Sequence, residues 1–154
     1  MQLLKKSLLL CYFIGVSSFS QKKINFNKGW KFNLGDTKEA KITNYNDVNW
    51  RTLDLPHDWS IEGEYNKNNP MSHFGGYLPS GIGWYRKTIK IPKEWLNKQV
   101  SIMFDGVCMN STVWVNNEKL GSRPYGWIGF SYDITKHIKQ NKTLTFSVRV
   151  DNDK

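Results

Sequence analysis

The 154 residues, 39% hydrophobic and 14% aromatic, are enough for the core of one domain and exclude wholesale disorder. The formal charge of +9 does not point to nucleic acid, because the lysines are scattered along the chain and no arginine-rich stripe occurs. Segments such as KKINFNKGWK and TKHIKQNK read as solvated faces.

The first twenty residues stand apart from the rest. Lys5 and Lys6 form a basic start, residues 7–16 are a short apolar run, and Ser18 and Ser20 are small residues spaced like a cleavage signal. This is the pattern of a secretory signal peptide cut near Ser20 and Gln21, so the expected location is secreted or periplasmic. The apolar run is too short for a membrane span, which takes about 20 residues. A lipid anchor on Cys11 is the weaker reading, since Leu10 stands where lipoprotein signals carry a small residue. Loss of Lys5 and Lys6 would lower the charge from +9 to +7. Residues 21–154 are the expected domain. Cys108 would be its sole cysteine, expected as a buried thiol with no intramolecular disulfide.

Along that domain, short strands alternate with turns. WRTLDLP is a strand closed by Pro56. WYRKTIKI puts Tyr85, Ile89 and Ile91 on one face, with Lys87 interrupting it. PKEWLNK allows one helical turn after Pro92. VSIMFDGV groups Val100, Ile102 and Phe104, and STVWVNNEKLG sets Val113 and Val115 against Trp114. Asn116 and Asn117 then predict a hairpin turn, because Asn tolerates positive φ. DITKHIKQ allows another helical turn but is too short for an independently stable helix. TLTFSVRVD is the cleanest strand: Leu144, Phe146, Val148 and Val150 share a face, opposite Thr145, Ser147 and Arg149. Short strands at this spacing predict an all-β sandwich, with Phe104, Phe146 and Val148 in its core. Residues 62–83 contain no strand-like run and form one long, glycine-rich loop, a type that is often functional.

Three stretches carry polar or aromatic candidates. DLPHDWSIEGEY offers His57, Asp58 and Glu62. Acid/base cleavage of a glycoside needs two carboxylates about 5–10 Å apart. However, an Asp and a His at a sandwich corner more often satisfy backbone groups, so the stretch reads as scaffold. In YLPSGIGWYRK, Gly81 and Gly83 permit close backbone approach. Tyr85 belongs to a core strand there, and Trp84 is open between core packing and stacking on a sugar. GSRPYGWIGFSYDIT repeats the theme with Tyr125, Trp127, Phe130 and Tyr132. No phosphate-binding glycine pattern occurs, and His57, His73 and His137 lack metal-ligand spacing, so no cofactor and no metal are expected.

LPHDW, GIGWYRK, FDGVCMNSTVWVN, LGSRPYGWIGFSYDIT and VRVDN, in this order, resemble the N-terminal sugar-binding domain of glycoside hydrolase family 2. The wording is most similar to its β-galactosidase branch, and the resemblance covers about residues 24–152. It implies a galactose-binding-like jelly roll of two antiparallel sheets. It also implies that the catalytic glutamates lie elsewhere, on a (β/α)₈ barrel that follows this domain and an immunoglobulin-like one. The chain is then expected to be a fragment or truncated product, inactive alone, with those two domains and a terminal β-linked sugar as partners. Asp151 and Asn152 match the region where relatives contact that sugar, and Trp84 and Trp127 are the stacking candidates. A free-standing carbohydrate-binding module is the second reading, and a non-sugar interaction domain the third.

Overall fold

The computed structural model describes residues 21–153, so the expected leader lies outside the described residues. β1 spans Trp30–Leu34, β2 Arg51–Leu53 and β3 Ile82–Lys90. β4 follows at Ser101–Phe104, β5 at Ser111–Val115 and β6 at Glu118–Arg123. β7 is Phe130–Asp133, α1 Thr135–Gln140 and β8 Thr143–Asp151. The fold is nearly all-β. Six strands form one antiparallel sheet in the order β2-β1-β3-β8-β5-β6, and β4 and β7 form a second.

The strand alternation builds the core as the sequence predicts. Leu144, Phe146, Val148 and Val150 of β8 are all buried, together with Tyr85, Val113 and Val115 from neighbouring strands. Ile102 and Phe130 of the second sheet and Ile138 of α1 join the same cluster. Phe104 stacks on Phe130 at 5.0 Å but is only partly buried, standing at the end of β4. The hairpin between β5 and β6 turns on Asn116 and Asn117, with φ of 44° and 71°.

Two expectations need correction. Cys108 is exposed: β4 ends at Phe104, so the apolar run around the thiol is loop rather than core strand. DITKHIKQ does form α1, short as it is. Asp133 Oδ1 accepts the Thr135 N–H at 2.7 Å, and Ile138 docks into the core, so packing holds what propensity alone would not.

The second face of the large sheet is covered as well, which alternation does not reveal. A segment containing a short 3₁₀ turn, Lys38–Lys41, lies over β3 and β8. Ala40, Trp50 and Trp84 form a second buried cluster there. Arg86 of β3 fastens this cover and is 1% exposed. Its guanidinium donates to Asp47 Oδ2 at 2.9 Å, to the carbonyls of Ile42 and Thr43 at 3.0 and 3.1 Å, to Ser147 Oγ at 2.9 Å, and to the carbonyl of Ala40.

Candidate functional site at one end of the large sheet

Strand register brings the chemically interesting residues to one end of the sheet. Leu34 pairs with Gly83, Ile82 with Asp151, Thr112 with Arg149 and Ser111 with Arg123. The ends of β1 and β8 and the beginnings of β3 and β5 therefore lie together. The long loop, residues 105–110 and residues 124–129 all leave from this end. The last two pack tightly: a Cβ on Gly126 would lie 2.5 Å from Cys108 Cα. Asn110 ties them to β8, its N–H donating to the carbonyl of Pro124 at 3.1 Å and its Nδ2 to that of Asp151 at 3.2 Å.

The stretch that offered an acid/base pair is a corner instead. Asp58 Oδ1 accepts the Ser60 N–H at 2.9 Å and so caps a short 3₁₀ turn, Ser60–Glu62. Arg51 Nη2 donates to both oxygens of Glu62, at 3.0 and 2.7 Å, and to His57 Nε2 at 2.8 Å. His57 Nε2 also lies 3.2 Å from Glu62 Oε1, and its Nδ1 lies 2.8 Å from Tyr85 Oη, so the ring is held from both sides. The Arg51 hydrogen bonds hold the Glu62 carboxyl below the usual 4.5. A general acid needs the opposite shift. Burial pushes the Tyr85 phenol up, away from any role in proton transfer. These groups join β2, β3 and the start of the long loop.

Trp59, next in that stretch, stacks on Phe32 with ring centroids 5.8 Å apart. A Cβ on Gly83 would come within 2.9 Å of both rings, which is the physical reason for glycine there. A shallow cleft of about 520 Å³ beside Trp59 is lined by Asn33, Asn49, Arg51 and Glu62. A second cleft of about 490 Å³ is lined by Arg123, Tyr125, Ile128 and Ser131. Among the described residues, no group of three His, Cys, Asp or Glu side chains is placed to hold a metal ion.

The four expected site residues separate into two kinds. Trp84 offers no face to a ligand, being 1% exposed. Its ring stacks on Trp114 at 5.3 Å under the covering segment, and Nε1 donates to Asp36 Oδ1 at 3.3 Å. The stacking role expected for it is withdrawn on that ground. Trp127, by contrast, is 78% exposed, near the exposed side chains of Tyr125 and Ile128. Asp151 and Asn152 lie where expected, at the end of β8. Asp151 Oδ1 accepts the Asp153 N–H at 3.1 Å, and Oδ2 lies 3.4 Å from Arg149 Nη2. Asn152 Oδ1 accepts the Gly81 N–H at 2.8 Å, and Nδ2 donates to Ser60 Oγ at 2.9 Å. Sequence reasoning missed Ser60, Ser80 and Asn110 as neighbours of this strand end. Ser80 Oγ donates to Asp153 Oδ1 at 2.8 Å, across 73 positions that no local pattern bridges.

Residues 22–152 match the family model described as glycosyl hydrolases family 2, sugar binding domain. The chain belongs to glycoside hydrolase family 2. This family 2 domain is 48% identical over 132 residues to the β-galactosidase BoGH2A of Bacteroides ovatus, covering 86% of this chain and 16% of that protein. A putative β-glucuronidase of Formosa agariphila is 46% identical over 145 residues, 94% of this chain and 14% of its own length. The crystal structure of a β-glycosidase from Bacteroides vulgatus superposes with a TM-score of 0.80 at 52% identity, over 84% of this chain and 17% of that one. The family 2 chain described here thus spans about a sixth of the length of these relatives.

Proposed function

We propose that this chain serves as the N-terminal accessory domain of an exported family 2 glycosidase of β-galactosidase type. Its two sheets are read as the family's jelly-roll sandwich, preceded by a signal peptide. In this reading hydrolysis belongs to a barrel elsewhere in the protein, and this domain contributes loops to the pocket for a terminal β-linked sugar. The observation that carries it is the convergence at one sheet end. There the long loop, Asn152 and the segment bearing exposed Trp127 meet, in a domain whose family is sugar-binding. The low-lying Glu62 carboxyl and the capping role of Asp58 support placing the catalytic pair outside this chain.

Exposed apolar side chains suit docking against a further domain: Ile61, Tyr65 and Phe74 lie in and beside the long loop, and Trp127 and Ile128 in residues 124–129. A pocket built from one of its walls binds weakly. Titration calorimetry of the chain with galactose and lactose should therefore give a Kd in the millimolar range or weaker, roughly −4 kcal/mol. Aryl β-galactosides should not be turned over. Micromolar binding lost in Trp127→Ala would overturn the accessory role and establish a free-standing binding module, for which the exposed Trp127 would be the stacking platform.

A further inference from the structure

Asn152 is held more completely than a surface asparagine needs to be. Its backbone N–H donates to the carbonyl of Gly81 at 3.0 Å, while its Oδ1 accepts the Gly81 N–H at 2.8 Å. A backbone N–H only donates, so the amide oxygen must face Gly81, and Nδ2 is thereby turned to Ser60 Oγ, 2.9 Å away. Both anchors are fixed in turn. Gly81 has φ of 148°, a conformation that side-chain-bearing residues rarely adopt. Ser60 is 9% exposed, and its N–H is bound by Asp58.

A primary amide has two N–H donors and two oxygen lone pairs, and these contacts use one of each. One N–H and one lone pair remain. That pair suits a hydroxyl, which both donates and accepts, better than a carboxylate, which only accepts, or an ammonium, which only donates. Asp151 differs in kind: its carboxylate oxygens, held by Arg149 and the Asp153 N–H, can only accept and offer a hydroxyl no donor.

We propose that Ser60 is a positioning residue for Asn152, turning its amide so that the free N–H and lone pair meet a hydroxyl of a neutral sugar. The ligand half of this rests on the sugar-pocket reading above. It also assigns a use to the DLPHDWS stretch: Asp58 fixes Ser60, Ser60 fixes Asn152, and the stretch acts on a sugar only through that amide.

The test uses the full chain, labelled with ¹⁵N and titrated with methyl β-galactoside. Ser60→Ala should collapse the separation between the two Asn152 Nδ2 proton signals and move the Gly81 amide signal. It should also weaken binding roughly three- to tenfold, the range of one net neutral hydrogen bond. Ser60→Thr, which keeps the hydroxyl, should recover most of both effects. If the alanine variant does not fold, Ser60→Cys, with a similar size and a poor acceptor, carries the same comparison. Unmoved Asn152 signals in Ser60→Ala, or equal loss of affinity in the alanine and threonine variants, would overturn the positioning role. Asn152→Ala tests the pocket reading separately. Unchanged affinity there removes the sugar from the proposal, while the amide signals still decide whether Ser60 holds Asn152.

Discussion

Replacing Arg86 by Met tests whether the covering segment is held by one buried cation. The side chain lies within β3 and donates to Asp47, to Ser147 and to the carbonyls of Ala40, Ile42 and Thr43. Methionine fills a comparable volume but offers no donor. Asp47 is left facing an apolar group and the Thr43 carbonyl loses its donor, while the carbonyls of Ala40 and Ile42 keep Ser147 Oγ and the Tyr45 N–H. Breaking a buried pair by removing one member costs about 3–5 kcal/mol. Water reaching the partly exposed Asp47 and Thr43 should hold the loss within that range rather than above it. Domains of this size are stable by only about 5–15 kcal/mol, so the variant should sit near the edge of folding. Arg86→Lys keeps the charge but not the fork, and should lose an intermediate amount. Urea unfolding of the three proteins supplies the free energies. Hydrogen exchange then locates the damage, and protection at Ala40 and Ile42 should fall before protection in β8. Asp47→Asn combined with Arg86→Met should recover only part of the loss, because the Thr43 carbonyl still lacks its donor and Ser147 Oγ its guanidinium. A loss below about 1 kcal/mol for Arg86→Met, the size of one ordinary hydrogen bond, would refute the reasoning.

Three further outcomes are expected. Phe146→Ala should cost roughly 3–5 kcal/mol in chemical unfolding, because the ring lies in the cluster shared by both sheets, and a change under about 0.5 kcal/mol would mean the face is misassigned. Gly83→Ala should cost about 1–3 kcal/mol by overpacking against Phe32 and Trp59, and an unchanged melting temperature would show that those rings yield freely. Glu62 has a folded-state pKa below its ordinary 4.5, so its contribution is fully present above that pH and is lost as pH falls through the lower folded value. Glu62→Gln should therefore be less stable than the parent at pH 7, with the gap closing below about pH 4.5; parallel acid limbs in melting temperature against pH would contradict this.

The legible parts of the fold are those where one residue's direction implies the next. In β8 the alternation of Leu144, Phe146, Val148 and Val150 identifies both strand and inner face. The same rule sends Trp84 to the face opposite Tyr85, but cannot say whether that face is wet. Here it is dry, because residues 36–50 fold over it. That segment has no period: Ala40 and Trp50 are buried by what lies beneath them, and Arg86 is buried because it serves the carbonyls of Ala40, Ile42 and Thr43. An arginine in a strand reads as a solvated residue until its partners are known. Cys108 fails in the other direction. Its neighbours are apolar, yet Asp105 and Gly106 have already ended the strand.

The site end is less legible than the core for a related reason. Asp151 and Asn152 enter as candidates because they close a recognisable strand, and Trp127 because it stands in an aromatic, glycine-rich loop. The groups that give Asn152 its orientation lie 71 and 92 positions away, at Gly81 and Ser60, and neither announces itself locally. What joins them is the antiparallel pairing of β3 with β8, which sets Ile82 against Asp151 and so delivers Gly81 to the next residue. Burial on both faces of β8 leaves that pairing little freedom to slip, since a one-residue shift would drive Thr145 and Ser147 into the main core and expose Phe146 to the polar cover. The covering segment fastened by Arg86 thus helps hold that pairing, and it reaches the same sheet end through Asp36, bound to Arg149, and through Asn49, which lines the cleft beside Trp59. The carboxylates of DLPHDWS work in the same way: Asp54 accepts the Gly29 N–H and Asp58 that of Ser60, whose hydroxyl in turn accepts from Asn152 Nδ2.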